Sequence, residues 1–159
     1  MAATVGCDQI SKAAARSLLT FGHPVYFLGG RLTFRLSYNV GAFLSLGARL
    51  PEWLRFTLFS VGGCLIILGG LYFLFKKQHL STTSIISLSF VLGGALSNQI
   101  DRILFHGSVT DFLFLSLGSI HTGIFNLADM AIMFGVGFFF IESRRRPNPP
   151  LNPDPACIV

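Results

Sequence analysis

The sequence predicts an all-α integral membrane helical bundle with a small β-platform on its outer face. Three observations lead there. Of 159 residues, 52% are hydrophobic, with 17 Phe, and only 12% are charged, where soluble domains carry about a quarter. A mean hydropathy of +0.64 points the same way. Second, three apolar runs approach the roughly 20 residues that cross a bilayer core. Third, "RLTFRLSYNVGAF" (31–43) alternates partly with period two and is rich in aromatic residues, which is the pattern of a short sheet at the membrane surface. A loop is equally compatible with that stretch.

The N-terminal "MAATVGC" leads into "DQISK" (8–12), and Asp8, Lys12 and Arg16 make residues 1–20 a costly bilayer span. The expected spans are residues 56–75, 84–104 and 125–141. Glycine pairs at Gly62-Gly63, Gly69-Gly70 and Gly93-Gly94 suit close helix approach in lipid. Lys76, Lys77 and His79 separate the first two spans, and Arg144, Arg145 and Arg146 follow the third, so both sites belong in the cytoplasm. The connection 105–123, without Lys or Arg, then faces outward. The region before the first span faces outward too, against the charge rule, since it carries Arg31, Arg35, Arg49 and Arg55. Residues 1–143 form one membrane-embedded domain, and the Pro- and Asn-rich 144–159 reads as a disordered cytoplasmic tail.

Net charge is +5, but the basic residues form no stripe interleaved with aromatics, which argues against nucleic acid as a partner. Cys7, Cys64 and Cys157 are too few and too scattered for a disulfide framework or a zinc site.

Asp111 and Asp129 are the candidate chemistry. The topology puts both near the outer boundary. Taken singly each has an ordinary explanation: Asp111 as a solvated loop acid, Asp129 as a first-turn acid of a helix capped by Asn126. Taken together, two carboxylates held close in a partly desolvated site cannot both ionise, so they share a proton and divide into one acid and one base. Such a pair hydrolyses a peptide bond through activated water, without metal or cofactor. No HExxH or Ser/His/Asp signature competes, and His23, His79, His106 and His121 lie in connections. Asn98 and Arg102 share one face of the second span, as do Ser97 and Asp101; interhelical hydrogen bonding and support of the carboxylates both fit that pattern.

Four blocks, "DQISK" (8–12), "YNVGAFLS" (38–45), "GGALSNQIDRILFHGSVTDF" (93–112) and "FNLADM" (125–130), resemble in order the lipoprotein signal peptidase family, also called signal peptidase II. The resemblance implies a bacterial inner-membrane aspartic endopeptidase, multi-pass, with its active site at the outer face. Its partners would be membrane lipids and lipid-modified prolipoproteins, cut before the diacylglyceryl-modified cysteine. It makes Asp111 and Asp129 the catalytic dyad, with Asn98, Arg102 and Asn126 around them and Asn39 and Gly41 on a substrate-holding platform. Asp8 and Lys12 match the block that follows the family's first helix, although a simple i,i+4 surface pair is an alternative. Ser97 stands for a usual glycine, Gln99 for an apolar residue and Phe43 for a second alanine, changes expected to narrow the substrate groove. The family has four spans where three are visible here, so a first helix is expected to be missing before Cys7. An inactive paralogue or scaffold and a small proton-coupled carrier are the rival readings.

Site-specific labels test the topology. One at Gln78 and one after Arg146 should report cytoplasm, and one at Ser119 should report the outside.

Overall fold

The computed structural model describes residues 1–42, 45–76 and 80–145. Its elements, in order, are α1 (Ala2–Leu18), β1 (Val25–Phe27), β2 (Leu32–Asn39), α2 (Glu52–Lys76), α3 (Thr82–Leu104), β3 (Val109–Leu117), β4 (Ile120–His121) and α4 (Leu127–Arg145). Two helices, α2 and α3, are long and apolar enough to cross a membrane, with mean hydropathies of 2.2 and 1.2. α2 widens into a π-helical turn over Phe56–Val61. α4 carries Asp129 at one end and Glu142 and Arg144 at the other, which shortens the apolar stretch between them.

The first two expected spans lie within α2 and α3, with adjusted ends, and α4 covers the third apolar run. α3 starts at Thr82 because Ser81 caps it, its Oγ accepting from Ser84 N at 3.1 Å. At the other end α4 continues through Arg144 to Arg145 rather than ending before a tail at 144, and the Arg144 guanidinium stacks over the Phe140 ring one turn back, 4.7 Å from its centroid. The rest of the expected tail lies outside the described residues.

The platform is a four-stranded antiparallel sheet in the order β1-β2-β3-β4. Alternation in residues 31–43 pointed to β2; of the three other strands, β3 and β4 come from the 105–123 connection. Asp111 therefore sits on a paired strand opposite Ser37, and is 1% exposed, so the solvated-loop account of it fails. His121 likewise belongs to β4 and stacks on Phe114.

The "DQISK" block does not follow a helix but lies within one. α1 packs its Asp8, Lys12 and Ala15 face inward, against α3 and α4. Asp8 and Lys12 form the i,i+4 pair at 2.7 Å, yet both are 0% exposed; the pair is interior, not surface.

α3 and α4 make the most extensive helix contact, and glycine makes it possible. A Cβ on Gly94 would lie 2.5 Å from the Ala128 carbonyl oxygen, and one on Gly135 would lie 2.6 Å from that of Ser87. Backbone cannot retreat as a side chain can. Gly94→Ala and Gly135→Ala are each expected to cost about 1–3 kcal/mol of stability. The neighbouring control Gly137→Ala, with nothing within 4 Å, should unfold at the wild-type temperature in detergent.

Candidate active site

The chain enters α4 through a reciprocal cap. Asn126 Oδ1 accepts from Asp129 N at 2.9 Å, and Asn126 N donates to Asp129 Oδ2 at 3.3 Å, so the first-turn acid is fixed by the same residue that starts the helix. Between them, Ala128 N donates to Asp8 Oδ1 at 2.8 Å. Capping thus accounts for Asp129 and also orients it. It is 7% exposed.

Asn126 also reaches across to the sheet. Its Nδ2 donates to Asp111 Oδ1 at 2.6 Å and lies 3.2 Å from Asn98 Oδ1. Asn98 Nδ2 donates to Asp129 Oδ1 at 2.9 Å, and Asn39 Nδ2 donates to Asp111 Oδ2 at 3.0 Å. Each carboxylate therefore receives two hydrogen bonds, and one asparagine serves both. Burial pushes the Asp111 carboxyl up to about 7, the negative charge of Asp129 adds to the shift, and the Asn39 and Asn126 donors and the Lys12 ammonium oppose it. Two acids so placed cannot readily both ionise.

Around them, Arg102 donates from Nη2 to the Gly41 carbonyl at 2.9 Å. Asn39 Oδ1 accepts from Gly41 N at 2.9 Å. The tight loop needs glycine there, since a Cβ would lie 2.5 Å from the Leu46 carbonyl oxygen. Among the described residues the buried Arg102 Nε has no partner, and the guanidinium lies within electrostatic reach of Asp129, Asp111 and Asp101. A spare donor beside two carboxylates suits a substrate carbonyl or water. The described residues contain no group of three or more metal-ligating side chains.

A family model described as Signal peptidase (SPase) II matches residues 1–145. The chain belongs to the signal peptidase II family. A relative named Lipoprotein signal peptidase, from Hydrogenovibrio crunogenus, is 39% identical over 139 residues, covering 85% of this chain and 77% of that protein. Another of that name, from Burkholderia cenocepacia, is 38% identical over 142 residues, covering 87% and 81%. A bacterial membrane enzyme solved by the in meso method at 2.3 Å superposes with a TM-score of 0.76 at 25% identity, covering 92% of this chain and 88% of that one. The fold is accordingly that of a membrane enzyme, a helical body with a small antiparallel sheet.

Within this signal peptidase II chain all nine residues singled out from the sequence lie in or beside one polar cluster. Asn39, expected on a substrate-holding surface, instead touches Asp111 directly. Gln9, Arg16 and Thr110 were not singled out: Gln9 Nε2 donates to Asp101 Oδ1 and Ser97 Oγ, both at 3.0 Å, and Arg16 Nη1 donates to Thr110 Oγ1 at 2.9 Å. The spacing of Asp8, Lys12 and Arg16 along one helix face was the available signal. The two described departures from the family pattern are engaged between helices. Ser97 Oγ donates to Asp8 Oδ2 at 2.7 Å, and Gln99 Nε2 donates to the Ser60 carbonyl in the π-helical turn at 2.6 Å. They brace α3 against α1 and α2; Phe43 lies outside the described residues.

Asn126→Ala removes a cap and a donor to Asp111 together. The expected result is a loss of about 1–2 kcal/mol in thermal unfolding. The Asp111 titration, followed by carboxyl infrared absorption, should also move above about 7, because a hydrogen bond to the ionised form is lost.

Proposed function

We propose that this chain removes signal peptides from prolipoproteins in the bacterial inner membrane, cutting before the diacylglyceryl-modified cysteine with Asp111 and Asp129 as an aspartic dyad. One observation carries the assignment of the dyad: two buried carboxylates from β3 and α4 are bridged by a single Asn126 residue. The family membership supports the substrate class.

Asp129 lies at the positive end of the α4 dipole with two N–H donors on its oxygens, so it takes the ionised role. Asp111 keeps the shared proton. Asp129 removes a proton from water as its oxygen adds to the scissile carbonyl, while Asp111 donates its proton to the carbonyl oxygen. The tetrahedral intermediate then collapses, its hydroxyl proton returns to Asp111, and the proton held by Asp129 passes to the departing amide nitrogen. A free amino terminus at the lipidated cysteine and a carboxylate on the signal peptide result.

An apolar groove of about 530 Å³ runs from Asp129 along α4 past Ile132, Met133, Val136, Gly137 and Phe140. It fits the apolar segment of a signal peptide lying in the bilayer. We assign α4 as the third span and the dyad to the outer face, with Asn39 and Gly41 on the platform that helps to hold substrate and membrane lipid around the helices. A proton-coupled carrier would need its acids midway along the spans; here Asp129 is in the first turn of a helix and Asp111 is on a surface sheet.

Asp111→Asn and Asp129→Asn should each lower cleavage of a lipid-modified prolipoprotein by at least about 100-fold with membrane insertion intact. Substantial turnover in either would overturn the dyad. The pH profile follows from Asp111. It holds its proton below about 7 and loses it above, so the alkaline limb of kcat/KM should fall near that pH.

A further inference from the structure

The Lys12 ammonium is completely buried, and its three protons have three acceptors. Asp8 Oδ2 lies at 2.7 Å, Asn98 Oδ1 at 2.8 Å and Asp101 Oδ2 at 3.4 Å. The Asn98 contact has a directional consequence. A side-chain amide has one accepting end and one donating end. With Oδ1 held by the ammonium and by Asn126 Nδ2, only Nδ2 can face Asp129, where it donates at 2.9 Å. The reversed amide would press N–H against an ammonium and leave Asp129 facing an oxygen.

Charge acts in the same sense. The groups facing the dyad are Asp8, Lys12 and Arg16 from α1 and Asp101 and Arg102 from α3, besides Asp111 on β3 and Asp129 on α4 themselves. Lys12 is within electrostatic reach of both dyad carboxylates. An alkyl stem of four carbons lets it deliver this charge from α1 without exposing itself to lipid or water.

We propose that Lys12 is a positioning residue for the dyad: it fixes the Asn98 amide so that it donates to Asp129, and its charge keeps one carboxylate of the pair ionised. The role rests on the dyad assignment and is separable from it, because the Asp111 and Asp129 variants test the dyad without touching Lys12.

The decisive variant is K12M/D101N. It removes the ammonium together with one of its carboxylate partners, so the net charge of the buried cluster is unchanged. The amide that takes the place of the Asp101 carboxylate can still accept from Thr110 N, as Asp101 Oδ2 does at 2.8 Å. Turnover of a lipid-modified prolipoprotein is measured in micelles across both limbs of the pH profile, beside thermal unfolding. The expected result is a kcat lower by about 100-fold with KM within about threefold, and both limbs displaced upward by about one pH unit. K12R, which keeps the charge and the donors, should leave both limbs at their wild-type pH whatever happens to kcat. Wild-type limbs in K12M/D101N, or a loss confined to KM or to the folded fraction, would show a merely structural lysine. If the double variant does not accumulate, K12R decides: displaced limbs overturn the proposal and unmoved limbs sustain it. Dead dyad variants beside an unchanged K12M/D101N would remove the Lys12 role alone.

Discussion

Asp8 and Asp101 lie 2.7 and 3.4 Å from one fully buried ammonium, that of Lys12, and the buried Asp111 and Asp129 are within its electrostatic reach. An uncompensated buried charge costs several kcal/mol, so the interior must balance. Lys12, Arg102 and Arg16 supply three positive charges at or beside the cluster, against four acids. Neutrality is reached when one acid holds a proton. Burial raises the Asp111 carboxyl to about 7, which favours its protonated form. In the proposed mechanism, the charge balance that the buried interior needs and the single shared proton that hydrolysis needs are therefore one constraint.

The same constraint explains why the helices can meet without a conventional apolar core. Few large apolar side chains are buried, while Asp8, Lys12, Ser97, Thr110 and Asn126 are wholly enclosed. In lipid the apolar exterior gains little from burial, so helix contact is driven by close packing and interhelical hydrogen bonds. Gly94 and Gly135 bring α3 and α4 into contact. Polar side chains of α1 then satisfy groups that this contact leaves buried, including Ala128 N in the first turn of α4.

The sequence carried the spans and the dyad far more openly than the sheet. A long run of apolar residues reads directly as a helix across lipid, and an acid at the edge of such a run is conspicuous because its environment makes it expensive. β3 offered no such sign. Its "VTDFLFLSL" is apolar on both faces over much of its length and was indistinguishable from a greasy loop between spans, because pairing with β2 is a long-range fact. Asp8 and Lys12 were ambiguous for a related reason. The i,i+4 spacing specifies that the two side chains can meet, but not whether their shared face points to water or inward. Asn39 was read only as part of the platform, since it is the register of β2 on β3 that carries it to the Asp111 carboxylate.

Ser97 and Gln99 depart from the family pattern at positions turned away from the dyad. Along the chain, a hydroxyl in place of glycine and an amide in place of an apolar residue beside Asn98 suggest altered substrate contacts. A helix, however, sends neighbours to different sides. Asn98 faces the dyad, while Ser97 is turned to Asp8 and Gln99 to the Ser60 carbonyl. The hydroxyl gives Asp8 a further donor, so Asp8 Oδ2 is shared between Ser97 and Lys12 while Oδ1 holds Ala128 N. Gln99 fills the widened turn of α2 and reaches Cys64 Sγ at 3.3 Å, which ties the second helix to the third at the level of the site. Both substitutions act on the frame that fixes the carboxylates. Both therefore bear on how firmly α1 and α2 are held against α3.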